Sequence, residues 1–256
     1  MAIRAVVFDV GETLIDETRL WTAWADRLGL PRLTFLAALG AVIARGGDHR
    51  TVFGLFRPGF DVDAVQARRR AAGEASDFVE ADLYPDARPC IESLARAGLR
   101  IGIAGNQPAG AESILRGLGL PVELIASSAR WGVEKPSPAF FARIAAEFGL
   151  VAGEIAYVGD RVDNDVRPSA AAGMLAVFVR RGPWAWIQAG RDDPSEARLV
   201  VASARRTARR ARAIPLIPGR ARDLFASSAP ELPSGSELEP WTGRGRPRPE
   251  APPNDT

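Results

Sequence analysis

The chain has 256 residues, 46% of them hydrophobic, enough for one large α/β domain or a core domain with a smaller insertion. Its one cysteine, Cys90, excludes an internal disulfide and a cysteine-based zinc site, and its one histidine, His49, excludes a multi-histidine metal cluster. The net charge of +2 resides in the tail, where ten arginines face six carboxylates from Arg205 onward; the remainder is mildly acidic and gives no electrostatic case for nucleic acid.

The first predicted element is a strand over Ala5–Phe8, an unbroken apolar run of the kind buried on both faces of a parallel sheet. It delivers Asp9 to its C-terminal end, and Gly11 is expected to let the backbone turn sharply there. Helical patterning follows. Leu20, Trp21, Trp24 and Leu28 share one face of a helix over Glu17–Leu28, and Leu33–Ala44 is a second apolar helix closed by Gly46 and Gly47. Thr51–Phe60 mixes aromatic residues with Gly and Pro and has no clear period. Val62–Ala75 is a third helix. No strand is expected between Glu17 and Ala81, so this stretch reads as a helical insertion, 17–81, within a core formed by 1–16 and 82–204. Trp21, Trp24 and Phe56 in it are candidates for a pocket lining, although aromatic residues at helical spacing more often belong to a core.

From Tyr84 onward strands and helices alternate. Asp86 is the expected N-cap of a helix running to Ala97, ended by Gly98. Leu99–Ala104 is a strand leading into Gly105 and Asn106. A helix over Gly110–Leu118, a strand over Val122–Ala126 and a helix opened by Ser137 and Pro138 come next. Glu154–Val158 is a strand ending in Gly159 and Asp160. Leu175–Val179 is another, and Leu199–Val201 the last. Repeated strand–helix units imply an α/β, Rossmann-like parallel sheet with right-handed crossovers. Beyond Ser227 the chain is rich in Pro, Gly, Ser and charge and cannot bury a core, so disorder is expected for most of 205–256. No segment is apolar over a membrane-spanning length, and Met1–Arg4 leads straight into the first strand, so no signal peptide and a soluble cytoplasmic protein are expected.

A parallel sheet gathers its strand ends at one mouth. Asp9, Asn106, Asp160, Asp163 and Asp165 all fall at such ends, and Lys135 precedes a helix start in Glu134-Lys135-Pro136-Ser137-Pro138. Several carboxylates around one point repel unless a cation joins them, and hard oxygen ligands without His or Cys suit Mg²⁺. Lys135 is the sole lysine of the chain. Its compact ammonium can pair with a carboxylate and a phosphate oxygen together, which a guanidinium fits less well.

These segments resemble the haloacid dehalogenase-like hydrolase superfamily, subfamily I, from Ile3 to about Arg181. The matching motifs are Phe8-Asp9-Val10-Gly11-Glu12-Thr13-Leu14, Gly105-Asn106, Lys135-Pro136, and Gly159-Asp160 with Asn164-Asp165. The helical insertion resembles the family's type 1 cap. The resemblance implies Asp9 as nucleophile, an aspartyl-phosphate intermediate and a small-molecule phosphate substrate. It implies Mg²⁺ held by Asp9, the Gly11 carbonyl, and Asp160 or Asp165, with Lys135 and the Asn106 amide on the phosphate oxygens. Asp163 is expected to face the loop. Two positions depart from the family pattern. Gly11 stands where an acid–base aspartate is usual, so esters with poor leaving groups should suffer by about 10²–10⁴-fold. Gly105 lacks the usual hydroxyl. A weak or inactive family member that only binds a phosphorylated ligand or partner, and a related transfer or C–X cleavage through Asp9, are the alternatives.

Overall fold

Strand β1 (Ala5–Phe8) is buried over its whole length and lies in the middle of the sheet. Its neighbours are β2 (Arg100–Gly105) on one side and β4 (Ile155–Gly159) on the other. Beyond them come β3 (Leu124–Ser127), β5 (Leu175–Val179) and β6 (Leu199–Val201). All pairs are parallel, in the order β3-β2-β1-β4-β5-β6, which is the order of the doubly wound Rossmann-like α/β fold. The direction of winding reverses between β1 and β4, so the crevice that this fold uses for ligands opens beside the residues that follow these two strands. This computed structural model describes residues 2–74, 78–191, 197 and 199–201, all within one unit of the chain.

Alternation along β1 builds two cores. Val6 and Phe8 pack with Cys90, Ile91 and Leu94 of α5 (Ala87–Arg96) and Leu115 of α6 (Ala111–Gly117). Ala5 and Val7 face the other way, onto Phe140, Phe141, Ile144 and Phe148 of α8 (Pro138–Phe148). Strand β5 alternates likewise, with Ala176 and Phe178 meeting Ala185 of α10 (Gly182–Arg191). Two short helices, α7 (Ser128–Trp131) and α9 (Arg167–Ala171), complete the crossovers.

Between β1 and β2 run α1 (Thr18–Leu28), α2 (Arg32–Ala44), α3 (Val52–Phe56) and α4 (Val62–Ala71). Of the expected stripe, Trp21, Trp24 and Leu28 are buried, together with Ala25, against Phe35, Leu39, Val42, Ile43, Val52 and Phe53, while Leu20 is only partly buried. Trp184, from α10, joins this cluster and ties the insertion to the sheet. The insertion leaves and rejoins the core through a two-stranded neck. The Asp16 N–H donates to the Asp82 carbonyl (2.8 Å), the Tyr84 N–H donates to the Leu14 carbonyl (2.9 Å), and Ile15 bridges Leu83 antiparallel. Arg19 reinforces the neck by a fork onto the Asp82 carboxylate (2.8 and 2.5 Å).

Two local expectations are corrected and one element is added. Gly11 is expected to give the turn after β1 its freedom, but the positive φ of that turn falls on Glu12 (φ 50°). Asp86 makes no side-chain cap bond to α5; its carboxylate instead holds the Arg181 guanidinium at 3.0 and 2.8 Å. Helix α10, which begins at a left-handed Gly182 (φ 69°) with Pro183 in its first turn, is absent from the sequence reading. Among the described residues no single helix is long and apolar enough to cross a membrane. The expectations for most of 205–256 concern residues outside the described ones.

Candidate active site

Asp9 follows β1 directly, and its N–H is held by the Val158 carbonyl of β4 at 2.8 Å. Lys135 reaches it from the loop before α8. Its Nζ lies 2.7 Å from Asp9 Oδ1 and 2.6 Å from Asp165 Oδ1, in a site where all three side chains are a tenth exposed or less. Burial alone would lower the Lys135 ammonium, but Asp165 and Asp9 outweigh it and hold the group charged, above its ordinary value. The Tyr157 ring lies 5.5 Å from the same ammonium, and its hydroxyl donates to the Ala104 carbonyl at 2.9 Å. Nothing in the sequence pattern beyond an apolar strand marks Tyr157 for this position.

Asn106 clamps Lys135 by its main chain. The side-chain amide donates to the Lys135 carbonyl (2.9 Å) and accepts from the Lys135 N–H (2.8 Å). That amide is therefore engaged in holding the lysine. Gly105 has a steric role: a Cβ there would come within 2.4 Å of Asp9 Oδ1. The absence of a side chain at position 105 leaves the space that Asp9 Oδ1 takes.

After β4 the chain winds through one wide π-helical turn, Val162–Val166, with the Val166 N–H reaching back to the Arg161 carbonyl at 3.1 Å. This turns Asp165 back toward the strand ends, where it also accepts from the Arg161 N–H at 3.0 Å. Asp163 faces away, paired with Arg161 (2.7 Å) and held by Gln188 (2.9 Å), as expected. Asp9, Asp160 and Asp165 each offer an oxygen within 4.8 Å of the others. Asp160 Oδ2 is buried without a hydrogen-bond partner. Burial, then Asp165 and Asp9, push the Asp160 carboxyl well above the usual carboxylate range. Burial and the Asp9 charge raise Asp165 to about 6 against the pull of Lys135. An orphaned carboxylate oxygen facing two further carboxylates fits a hard divalent cation.

Asp9, Lys135 and Asp160 open into a cavity of about 340 Å³, closed on the insertion side by Gly46, Gly47, Asp48, His49 and Arg50. His49 stands edge-on to the Trp21 and Trp184 rings, 5.6 Å from each centroid. Burial pushes its imidazole down to about 4, with Asp48 opposing and Arg161 and Arg50 assisting. Trp184, not Trp21 or Trp24, supplies the aromatic wall.

Glu12 and Glu17 also line the cavity. Both Glu12 oxygens are occupied, one by the Tyr84 hydroxyl (2.6 Å) and one by the Glu17 N–H (3.1 Å), which fixes the left-handed backbone. Glu17 accepts from Trp21 Nε1 through Oε2 (3.1 Å). It keeps part of its surface open to the cavity, yet its carboxyl is withdrawn from bulk water. That withdrawal, with Glu12 and more weakly Asp9 and Asp16, pushes it up to about 8 against the Trp21 bond. In the sequence Glu17 reads as a helix start. The contact that distinguishes it, with Gly11, depends on the turn between them.

Residues 3–173 match the family model for haloacid dehalogenase-like hydrolases. The chain belongs to that family. It is 30% identical over 211 residues to the glyceraldehyde 3-phosphate phosphatase of Methanopyrus kandleri, covering 75% of this chain and 90% of that one. It is 31% identical over 198 residues to the phosphoglycolate phosphatase of Rhodospirillum rubrum, covering 70% and 80%. The fold matches that of L-2-haloacid dehalogenase from Xanthobacter autotrophicus, with TM-score 0.57, 20% identity, and coverage of 83% and 100%. This family member is a hydrolase, of phosphatase type at the level its relatives define.

Proposed function

We propose that the protein is a Mg²⁺-dependent phosphatase of small phosphorylated molecules, working through an aspartyl phosphate on Asp9. One observation carries the reading: the unpartnered Asp160 Oδ2 sits with Asp9 and Asp165 around a common point, while Lys135 pins Asp9 from the side. Asp9 Oδ2 is left to attack phosphorus in line, as Oδ1 is bound by the lysine. Lys135 and the main-chain N–H of Asn106 hold phosphoryl oxygens, with the Asn106 side chain keeping Lys135 in register. Asp9, the Gly11 carbonyl and Asp160 would hold Mg²⁺, with Asp165 as a further or water-mediated ligand. When bound, the ion offsets charge on the phosphoryl group. The helical insertion, 17–81, serves as the cap that closes the cavity and selects the substrate. A cavity of about 340 Å³ suits a compound of the size its phosphatase relatives are named for.

The test is hydrolysis of 4-nitrophenyl phosphate and of three-carbon and two-carbon phosphates with Mg²⁺ and with EDTA. Turnover that requires Mg²⁺ and disappears in Asp9→Asn is expected. Turnover that survives in Asp9→Asn overturns the mechanism.

A further inference from the structure

Position 11 lacks the side chain that would reach a leaving group, but the space it would fill is not vacant. A Cβ built on Gly11 would come within 2.4 Å of Glu17 Oε1 and 2.9 Å of the Glu17 carboxyl carbon. A carboxyl group thus stands at position 11 after all, delivered from six residues downstream. Its placement is fixed at both ends. The Glu17 N–H is tied to Glu12 Oε1, and Oε2 is held by Trp21 Nε1, which leaves Oε1 turned to Gly11 in the cavity that contains Asp9 and Lys135. The other carboxyls lining that cavity outside the Asp9–Asp160 pair are Glu12, Asp48 and Glu134. Glu12 is spent on Tyr84 and the Glu17 N–H, and Asp48 on the Arg50 N–H. The three heavy atoms nearest the place that a side chain on Gly11 would take all belong to the Glu17 carboxyl group, and none to Glu134.

We propose that Glu17 is the acid–base residue of this enzyme, replacing from the first helix of the insertion the group that Gly11 cannot supply. The assignment rests on the phosphatase reading above. In the first half-reaction a bond forms between Asp9 and phosphorus, and the bond from phosphorus to the leaving oxygen breaks. The Glu17 carboxyl gives its proton to that oxygen and is left as a carboxylate while the alcohol departs. In the second half-reaction water attacks phosphorus and Glu17 takes back a proton from it. The bond from phosphorus to Asp9 breaks, which frees phosphate and restores both carboxyl groups to their starting states.

The experiment uses the full chain with Mg²⁺ and two probes. The phenol of 4-nitrophenyl phosphate leaves without a proton; the alkoxide of phosphoglycolate needs one. In the wild type the alkyl ester should turn over within about tenfold of the aryl ester, because protonation levels the two. Glu17→Gln should lose alkyl turnover by about 10²–10³-fold. With the aryl ester it should release one nitrophenolate per chain in a burst and then slow, since water is no longer deprotonated. The stabilisation of the melting transition by orthovanadate should persist in this variant. Gly11→Asp should be harmful alone, through collision with Glu17, but combined with Glu17→Ala it should regain at least about tenfold over Glu17→Ala. Unchanged kinetics in Glu17→Gln would overturn the assignment. So would equal loss of both esters without a burst while the vanadate response persists. A wild type that disfavours the alkyl ester by about 10²-fold or more overturns it without any variant, including the case in which Glu17→Gln does not fold. A wild type inactive on both esters overturns the phosphatase reading itself, and this assignment with it.

Discussion

Removing the Lys135 ammonium would leave Asp9 and Asp165 buried side by side with no counter-charge. Breaking a buried pair from one side costs about 3–5 kcal/mol, because the remaining charge is uncompensated. Lys135→Met should therefore lower stability by that amount in urea titrations without Mg²⁺, and abolish turnover. Asp160 should behave in the opposite sense. Its orphaned oxygen and raised carboxyl are a liability without a cation, so Asp160→Asn should melt at or above the wild-type temperature in EDTA. In the wild type, Mg²⁺ at a hundredfold over its Kd should add about 2.7 kcal/mol, or about 5–10 °C in Tm. That gain should vanish in Asp160→Asn and persist in Asp163→Asn, whose carboxylate serves Arg161 and Gln188. Equal loss in the two variants would show that the metal ligands are misassigned.

At the level of elements, the segment between α2 and α3 brings His49 against Trp21 and Trp184. The imidazole is held near 4, below the ordinary 6.5. Its contribution to stability is thus complete above about 6.5 and is lost as pH falls toward 4, since the unfolded chain takes the proton first. Because its side chain is 32% exposed, the effect is discounted to about 1 kcal/mol or less. Urea midpoints at pH 7 and pH 5 should fall more steeply in the wild type than in His49→Gln; parallel falls would remove His49 from the account. Strand ends were legible in the sequence because an apolar run followed by Asp9 or by Gly159 and Asp160 has one sensible reading in a parallel sheet. Helix α10 was not, since Trp184 and Gln188 are buried by partners far away in the chain rather than by a local stripe. Asp86 had two possible uses, capping α5 or pairing with Arg181, and only the tertiary structure decides between them.

Across the whole molecule, the residues from 202 onward lie outside the described structure. Their composition predicts that truncation after Ser227 shifts Tm by less than about 1 °C, as little apolar surface is available to bury. A larger fall in a melting scan would mean that the tail docks on the rest of the chain. Glu17 was the least legible feature of the site. The signal for it lies in the relation of two residues across a turn whose left-handed position is a glutamate, not in either residue alone. The neck at Asp16 and Asp82 has a consequence for inheritance. Since the chain departs and returns at hydrogen-bonded neighbours, the intervening helices form a cassette that recombination could exchange while leaving the sheet intact. A splice after Asp16 would carry away Glu17 together with the loop at Gly46–Arg50, but leave Asp9 and Lys135 behind. On the mechanism proposed above, the proton donor of such a lineage would travel with the inserted helices, and not with the strand that bears Asp9.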